Sequence, residues 1–206
     1  MIPAKATLEF FTKGNFAFDQ ESLTLKAGGP GAEFHRTPAS FTGRLVQLFK
    51  EKTALEQGDP NFFNTTWAPL TLTACSSFYR TLLDAFCCES TPAGRLEQAL
   101  TMIHSMGWGK VQIVESRPAR SVLRLFHSYE DQLYVEKLGK APCPVTAYTA
   151  GMLLAAHLFS LSFEPGQGEP EEIPFDELIS VVDTFEQERC EAEGQPYGEF
   201  VINSKR

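Results

Sequence analysis

Long apolar runs are missing from this chain of 206 residues. No stretch reaches the roughly 20 residues that a membrane-spanning helix needs, and charged or polar residues interrupt the longest ones. An excess of basic charge is missing too: 18 Lys and Arg stand against 26 Asp and Glu, a formal net charge of −8. That balance argues against general binding to nucleic-acid phosphates or to anionic lipid, both of which call for a basic face, although local basic patches stay possible. Cysteine is scarce and odd in number, the five being Cys75, Cys87, Cys88, Cys143 and Cys190. A chain of this size rests on its hydrophobic core, so reduced thiols in a cytoplasmic protein are expected. Met1 to Phe11 carries Lys5 and Glu9 and no long apolar core, which does not read as a secretory leader. Asn64-Thr65-Thr66 is then a chance match to a glycosylation acceptor. No repeat of fixed period is visible, which excludes solenoids and propellers.

What is present is an ordinary globular composition, 43% hydrophobic and 21% charged. Turn formers crowd the first 38 residues, with Leu8–Phe11 and Ser22–Leu25 as short strands between them. Phe41, Leu45, Leu48, Phe49 and Leu55 then recur at helical spacing behind Ser40 as N-cap. A second helix from about Pro69 puts Cys75, Phe78, Leu82 and Phe86 on one face. A third begins at Pro92, carries Leu96, Leu100 and Ile103, and stops before Gly107. The period then changes to that of strands: Val111–Val114 and Ser121–Phe126, separated by Pro118, form an antiparallel pair. Residues 143–161 are small and apolar around nearly the whole helical wheel, which predicts a buried helix opened by Cys143. Residues 164–174 form an exposed acidic loop. Residues 175–190 fit both an amphipathic helix and a β-branched strand, and periodicity leaves the two open. A turn at Gly194–Gly198 and a final strand at Phe200–Ile202 follow. The expected core comprises Leu45, Leu48, Phe78, Leu82, Leu100, Val111, Ile113, Leu123, Leu125, Gly151, Met152 and Phe200.

Few side chains announce chemistry. Gly107-Trp108-Gly109-Lys110 lacks the longer glycine loop and the Ser or Thr after Lys that a phosphate cradle requires, and reads as a helix-to-strand turn. Adjacent Cys87 and Cys88 cannot bridge without strain and read as structural thiols. His35, His104, His127 and His157 have no partner at metal-ligand spacing. Glu186, Glu188, Glu191 and Glu193 read as a solvated face, and spacing nominates no acid–base pair. Cys143 and Cys190 are the thiols that a fold can bring together, although two thiols alone fall short of the four ligands of structural zinc.

Several of these pieces recur in a telling order. Gly107–Lys110 leads into a strand, Ser121–Ser128 forms another, Pro142-Cys143 precedes Ala150-Gly151-Met152-Leu153, and Cys190–Gly194 with Glu199–Ile202 closes the chain. This order resembles the 4-vinyl reductase domain family over about residues 70–203. The resemblance implies an α/β fold of the α+β type, with a twisted antiparallel sheet packed by helices. It implies one such domain over residues 39–206, preceded by a strand-and-turn extension over residues 1–38. It also favours strand over helix for residues 179–190. Relatives include sensors of small aromatic or hydrocarbon-like ligands and dimeric subunits of vesicle-tethering complexes. In phenol-sensing members a structural zinc is held by Cys, Glu, Cys and Cys. The matching positions here are Cys143, Gln187, Cys190 and Gly198, so only Cys143 and Cys190 remain. No bound zinc and no other cofactor is expected, with the closing hairpin held by packing of Phe200 and Tyr197.

The reading that follows is a non-enzymatic regulatory or sensor module, a homodimer that binds a small apolar ligand, a protein partner, or both. An aromatic content of 12%, including 17 Phe, supports an apolar site. Its candidate ligand contacts are Phe78, Tyr79, His104, Trp108, Tyr148 and His157. The plainer reading of each is core filling. The alternative function is an interaction scaffold without ligand, which a sensor lacking an output domain also points to. An accessory factor of tetrapyrrole metabolism has no nucleotide fingerprint, metal site or nucleophile motif behind it.

Overall fold

The computed structural model describes residues 16–19, 24–27, 35–36, 46, 49–50, 68–85, 91–117, 119–162 and 175–205. Near the start, β1 (Phe16–Asp19), β2 (Thr24–Ala27) and β3 (His35–Arg36) form a small antiparallel sheet in that order. The strand expected at Ser22–Leu25 is therefore displaced by two residues, to Thr24–Ala27. The expectations for Leu8–Phe11, Leu45, Leu48, Leu55, Phe86, Cys87, Cys88 and the acidic segment 164–174 lie outside the described residues.

Helix α1 (Ala68–Ala85) buries Ala74, Cys75, Phe78, Tyr79 and Leu82, a stripe set by the 3.6-residue period. Helix α2 (Pro92–Ser105) starts as its sequence dictates: Thr91 Oγ1 accepts the Gly94 N–H at 3.1 Å, and Pro92 stands where no N–H is needed. Its inward face carries Leu96, Ala99, Leu100 and Ile103. The chain then turns sharply into β4 (Lys110–Arg117), with the Gly107 N–H donating to the His104 carbonyl at 3.0 Å. Gly109 is required there: at φ +139° a Cβ would stand 2.6 Å from Leu125 Cδ1. Helix, turn and strand in that order make this a connection and not a phosphate cradle.

Strands β4, β5 (Arg120–Phe126), β6 (Val182–Arg189) and β7 (Gly198–Ser204) form an antiparallel sheet in the order β4-β5-β7-β6. Register opposes Ile113 to Leu123, Leu123 to Phe200 and Phe185 to Ile202, so one face of the sheet is apolar. Leu123, Leu125, Phe200 and Ile202 are fully buried on it, whereas Val111 and Ile113 are only partly covered because β4 is an edge strand. Over this face lies α4 (Tyr148–Leu161), in which every residue from Thr149 to Ser160 is buried, with α1 and α2 packed against it. Each large apolar side chain enclosed in this way contributes about 1.5–3 kcal/mol. The architecture is α+β, helices on an antiparallel sheet, as expected.

One expected boundary is corrected, one open reading is resolved and one helix is new. The buried helix begins at Tyr148 and not at Cys143: Pro142 and Pro144 push the residues before them out of the helical region. The reading left open for residues 175–190 resolves into a one-turn helix α5 (Phe175–Ile179) followed by β6, the strand that the resemblance favoured for residues 179–190. A helix the sequence reading did not anticipate, α3 (Tyr129–Leu138), follows β5.

Candidate functional site

Two places in this fold concentrate unusual side chains. The first is the apolar layer between α1 and α4. Tyr79 is 3% exposed and its ring stands edge-on to Phe159, centroids 6.4 Å apart. Its hydroxyl makes no hydrogen bond of full geometry, with Ser162 the polar side chain within its reach. Burial pushes the phenol's pKa up, with nearby Ser162 pulling it partly back. The Ser162 hydroxyl itself donates to the Leu158 and Phe159 carbonyls. A buried hydroxyl normally finds a partner, and leaving one unmade costs about 1–3 kcal/mol. Phe78 and Cys75 belong to the same cluster, and burial pushes the Cys75 thiol up to about 12.

His157 sits deeper, on the sheet side of α4. Its Nδ1 lies 2.8 Å from Ser121 Oγ on β5, and its Nε2 lies 2.8 Å from Ser204 Oγ on β7. Burial lowers its pKa from 6.5 to about 4, so the ring is neutral near pH 7. The stability it contributes is full above pH 6.5 and is lost as pH falls toward 4. With both nitrogens engaged, it reads as a tether between helix and sheet.

The second place is the junction of α3, the start of α4 and the turn between β6 and β7. Ser128 caps α3, its Oγ accepting the Asp131 N–H at 3.3 Å. The two carboxylates of the first turn then point inward. Glu130 accepts the backbone N–H groups of Ala147 (3.1 Å), Tyr148 (3.0 Å) and Thr149 (2.7 Å). The N-cap of α4 is Ala147, which has no capping side chain, so Glu130 does the capping from another helix. Asp131 accepts from Thr146 Oγ1 at 2.8 Å and from the Glu191 N–H at 3.0 Å. Glu191, in a short 3-10 turn (Glu191–Glu193), returns the contact by accepting the His127 and Ser128 N–H groups at 3.0 and 2.7 Å. Burial raises Glu130 to about 7 and Asp131 to about 6, against the pull of their hydrogen bonds. Sequence reasoning named neither carboxylate, and it placed Glu191 on a solvated face although Glu191 is half-buried.

This junction also holds Gln187, Cys190 and Gly198, which the resemblance set against zinc ligands, and they do not fit a metal. Gly198 has no side chain, and the Gln187 amide donates to Thr146 Oγ1 at 2.9 Å and to the Arg189 carbonyl at 3.1 Å. Cys190 is fully buried among Ala141, Val145 and Ala192, and burial with Asp131 beside it raises its thiol to about 12. Among the described residues no three His, Cys, Asp or Glu side chains gather in a metal-binding group. Phe200 is buried and stacks on Phe185 at 6.2 Å, and Tyr197 packs on Phe126 at 5.6 Å with the Arg124 guanidinium 4.5 Å from its ring centroid. Chelation with EDTA should accordingly leave the melting temperature of untagged protein unchanged; one zinc per chain by elemental analysis contradicts this.

The six candidate contacts do not form one site. Phe78 and Tyr79 lie in the main core, whereas Trp108 and Tyr148 stack at 6.2 Å beside Tyr129 and join it to a second, smaller cluster. His104 is exposed near the end of α2, and His157 faces the sheet.

Among the described residues no helix is long and apolar enough to cross a membrane. No family model and no curated protein matches the chain. One solved structure shows the fold. The phenol-responsive sensory domain of the transcription activator PoxR, crystallised with phenol, is similar at TM-score 0.58 and 13% identity, over 99% of this chain and 91% of that one. Subunit 3 of a trafficking protein particle complex from Naegleria fowleri, covalently bound to palmitic acid, aligns at TM-score 0.42 and 10% identity, over 82% of this chain and 98% of that one.

Proposed function

We propose that this chain is a non-enzymatic regulatory module of the 4-vinyl-reductase-domain type that binds a small aromatic ligand bearing a hydroxyl group in the layer between α1 and α4. The observation that carries this reading is the Tyr79 hydroxyl, buried beside Phe78 and Phe159, where no hydrogen bond reaches full geometry and Ser162 compensates only in part. An apolar ring with one hydroxyl suits such a place: it packs among aromatics and offers the Tyr79 hydroxyl a full hydrogen bond. The phenol-responsive domain of similar fold takes a ligand of that class. The absence of catalysis rests on spent groups. Cys75 is held protonated, far from the thiolate a nucleophile needs, and both His157 nitrogens are engaged by serines. The cytoplasmic location and homodimer belong to the same reading.

A thermal-shift screen of phenols, saturated fatty acids and tetrapyrroles tests it. Phenols should raise the melting temperature of the wild type and leave a Tyr79→Phe variant nearly unmoved. A shift with fatty acids or tetrapyrroles alone contradicts the ligand class, and silence from all three favours the scaffold reading.

A further inference from the structure

The four-stranded sheet has two edges, and they are built differently. The β6 edge is blunted: register shifts put bulges at Asp183 and Glu188, both exposed carboxylates. The β4 edge carries one bulge, and the residue on it is Val114, 46% exposed. Among the described residues the other large apolar side chains that stand in solvent, Leu72 and Val135, are on helices. No backbone hydrogen bond among the described residues reaches the outer side of β4, so alternate N–H and C=O groups point outward unpaired. Its inward side chains Val111 and Ile113 are only partly covered, and the apolar face of the sheet ends open at this strand.

Charge divides the sheet across its width. Strands β4 and β5 carry Lys110, Arg117, Arg120 and Arg124 against one carboxylate, Glu115. Strands β6 and β7 carry Asp183, Glu186, Glu188 and Glu199 against one cation, Arg189. Glu115 is engaged within its own half, 3.2 Å from Arg117 and 3.4 Å from Arg120. Lys110 is exposed and joins no ion pair among the described residues. In a chain of net charge −8, the β4 edge is therefore locally basic.

We propose that the β4 edge docks an extended, acidic segment of a partner protein, which adds to the sheet as one more strand. Its backbone takes the outward N–H and C=O groups of β4, and its alternate apolar side chains continue the inner face past Val111 and Ile113. Its carboxylates meet Lys110 and Arg117, which register sets opposite Phe126 and Arg120, away from the buried face. A second copy of this chain fits less well. Two β4 strands paired antiparallel over their full length set Lys110 against Arg117 at both ends, like charge on like. The β6 edge of a second copy has the acid but not the regular spacing, since bulges interrupt it twice in eight residues.

Amide hydrogen exchange of the whole chain tests the edge with two capped peptides of about seven residues, one alternating glutamate with valine and one alternating lysine with valine. At saturation the glutamate peptide should raise the protection of alternate β4 amides by about tenfold and leave those of β6 unmoved. The lysine peptide should bind about tenfold more weakly. Val114→Asp gives β4 the acidic bulge that β6 has; at so exposed a position it should keep the melting temperature while affinity for the glutamate peptide falls about tenfold. No added protection along β4, equal binding of both peptides, or full affinity in the variant overturns the proposal. Protection of β4 that appears without peptide and rises with protein concentration assigns the edge to a second copy, and overturns it too. Should Val114→Asp fail to fold, the two peptides on the wild type decide alone. The ligand of the α1–α4 layer plays no part in this test.

Discussion

Replacing Gly151 by alanine lowers the unfolding free energy by about 3 kcal/mol, as overpacking does where backbone blocks the new atom. The reason is the closeness of α1 and α4. A Cβ at Gly151 would stand 2.3 Å from the Thr71 carbonyl oxygen, 2.8 Å from Ala74 Cβ and 3.0 Å from the Cys75 nitrogen. Two of those three atoms belong to a helix backbone and cannot swing aside. The helices must separate instead, which draws Tyr79 off Phe159 and weakens the contacts of the cluster they share. Alanine's better helix propensity returns about 1 kcal/mol, so the clash must exceed the net loss by that amount. Urea denaturation measures it. A variant within about 0.5 kcal/mol of wild type contradicts the close contact.

Glu130→Ala should cost a similar amount, about 3 kcal/mol, for a different reason. Three backbone N–H groups lose their acceptor at once, and Ala147 supplies no cap in its place. Each orphaned buried donor costs about 1–3 kcal/mol, while removing a buried charge refunds part of the sum. For a chain of 206 residues the melting temperature should fall by about 6–12 °C. Glu130→Gln keeps an acceptor oxygen and should lose about half as much. Calorimetry on both variants checks the order; an alanine variant as stable as wild type would mean that the head of α4 is capped by something else.

The contrast between these two positions shows what the sequence made legible. Gly151 and the apolar wheel around it announce a buried helix, because burial on all sides leaves no polar stripe. Helices α1 and α2 and the β4–β5 hairpin were readable for the same reason, each having a clear period and a breaker at its end. Helix α3 was not. Glu130 and Asp131 are charged residues in a first turn, which composition alone assigns to solvent. They are buried because the donors that satisfy them arrive from residues 146–149 and 191, a long-range fact with no local signature. The start pattern Ser128-x-x-Asp131 was the one available signal, and Asp131 spends its oxygens on Thr146 and Glu191 and not on the Ser128 amide. Cys143 misled for a related reason: small residues continue back from α4, yet two prolines stop the helix short of it. Tyr79 was nameable as an aromatic on the right face, but its unmet hydroxyl exists only once Phe159 and Ser162 are folded over it.

Calorimetric titration of phenol and toluene, side by side, into wild type and Tyr79→Phe weighs that hydroxyl alone. Recognition through Tyr79 predicts that the wild type prefers phenol by about fivefold to tenfold, the worth of one buried hydrogen bond, and that the variant loses the preference. Equal affinity for phenol and toluene in the wild type, or a preference that survives in the variant, contradicts it.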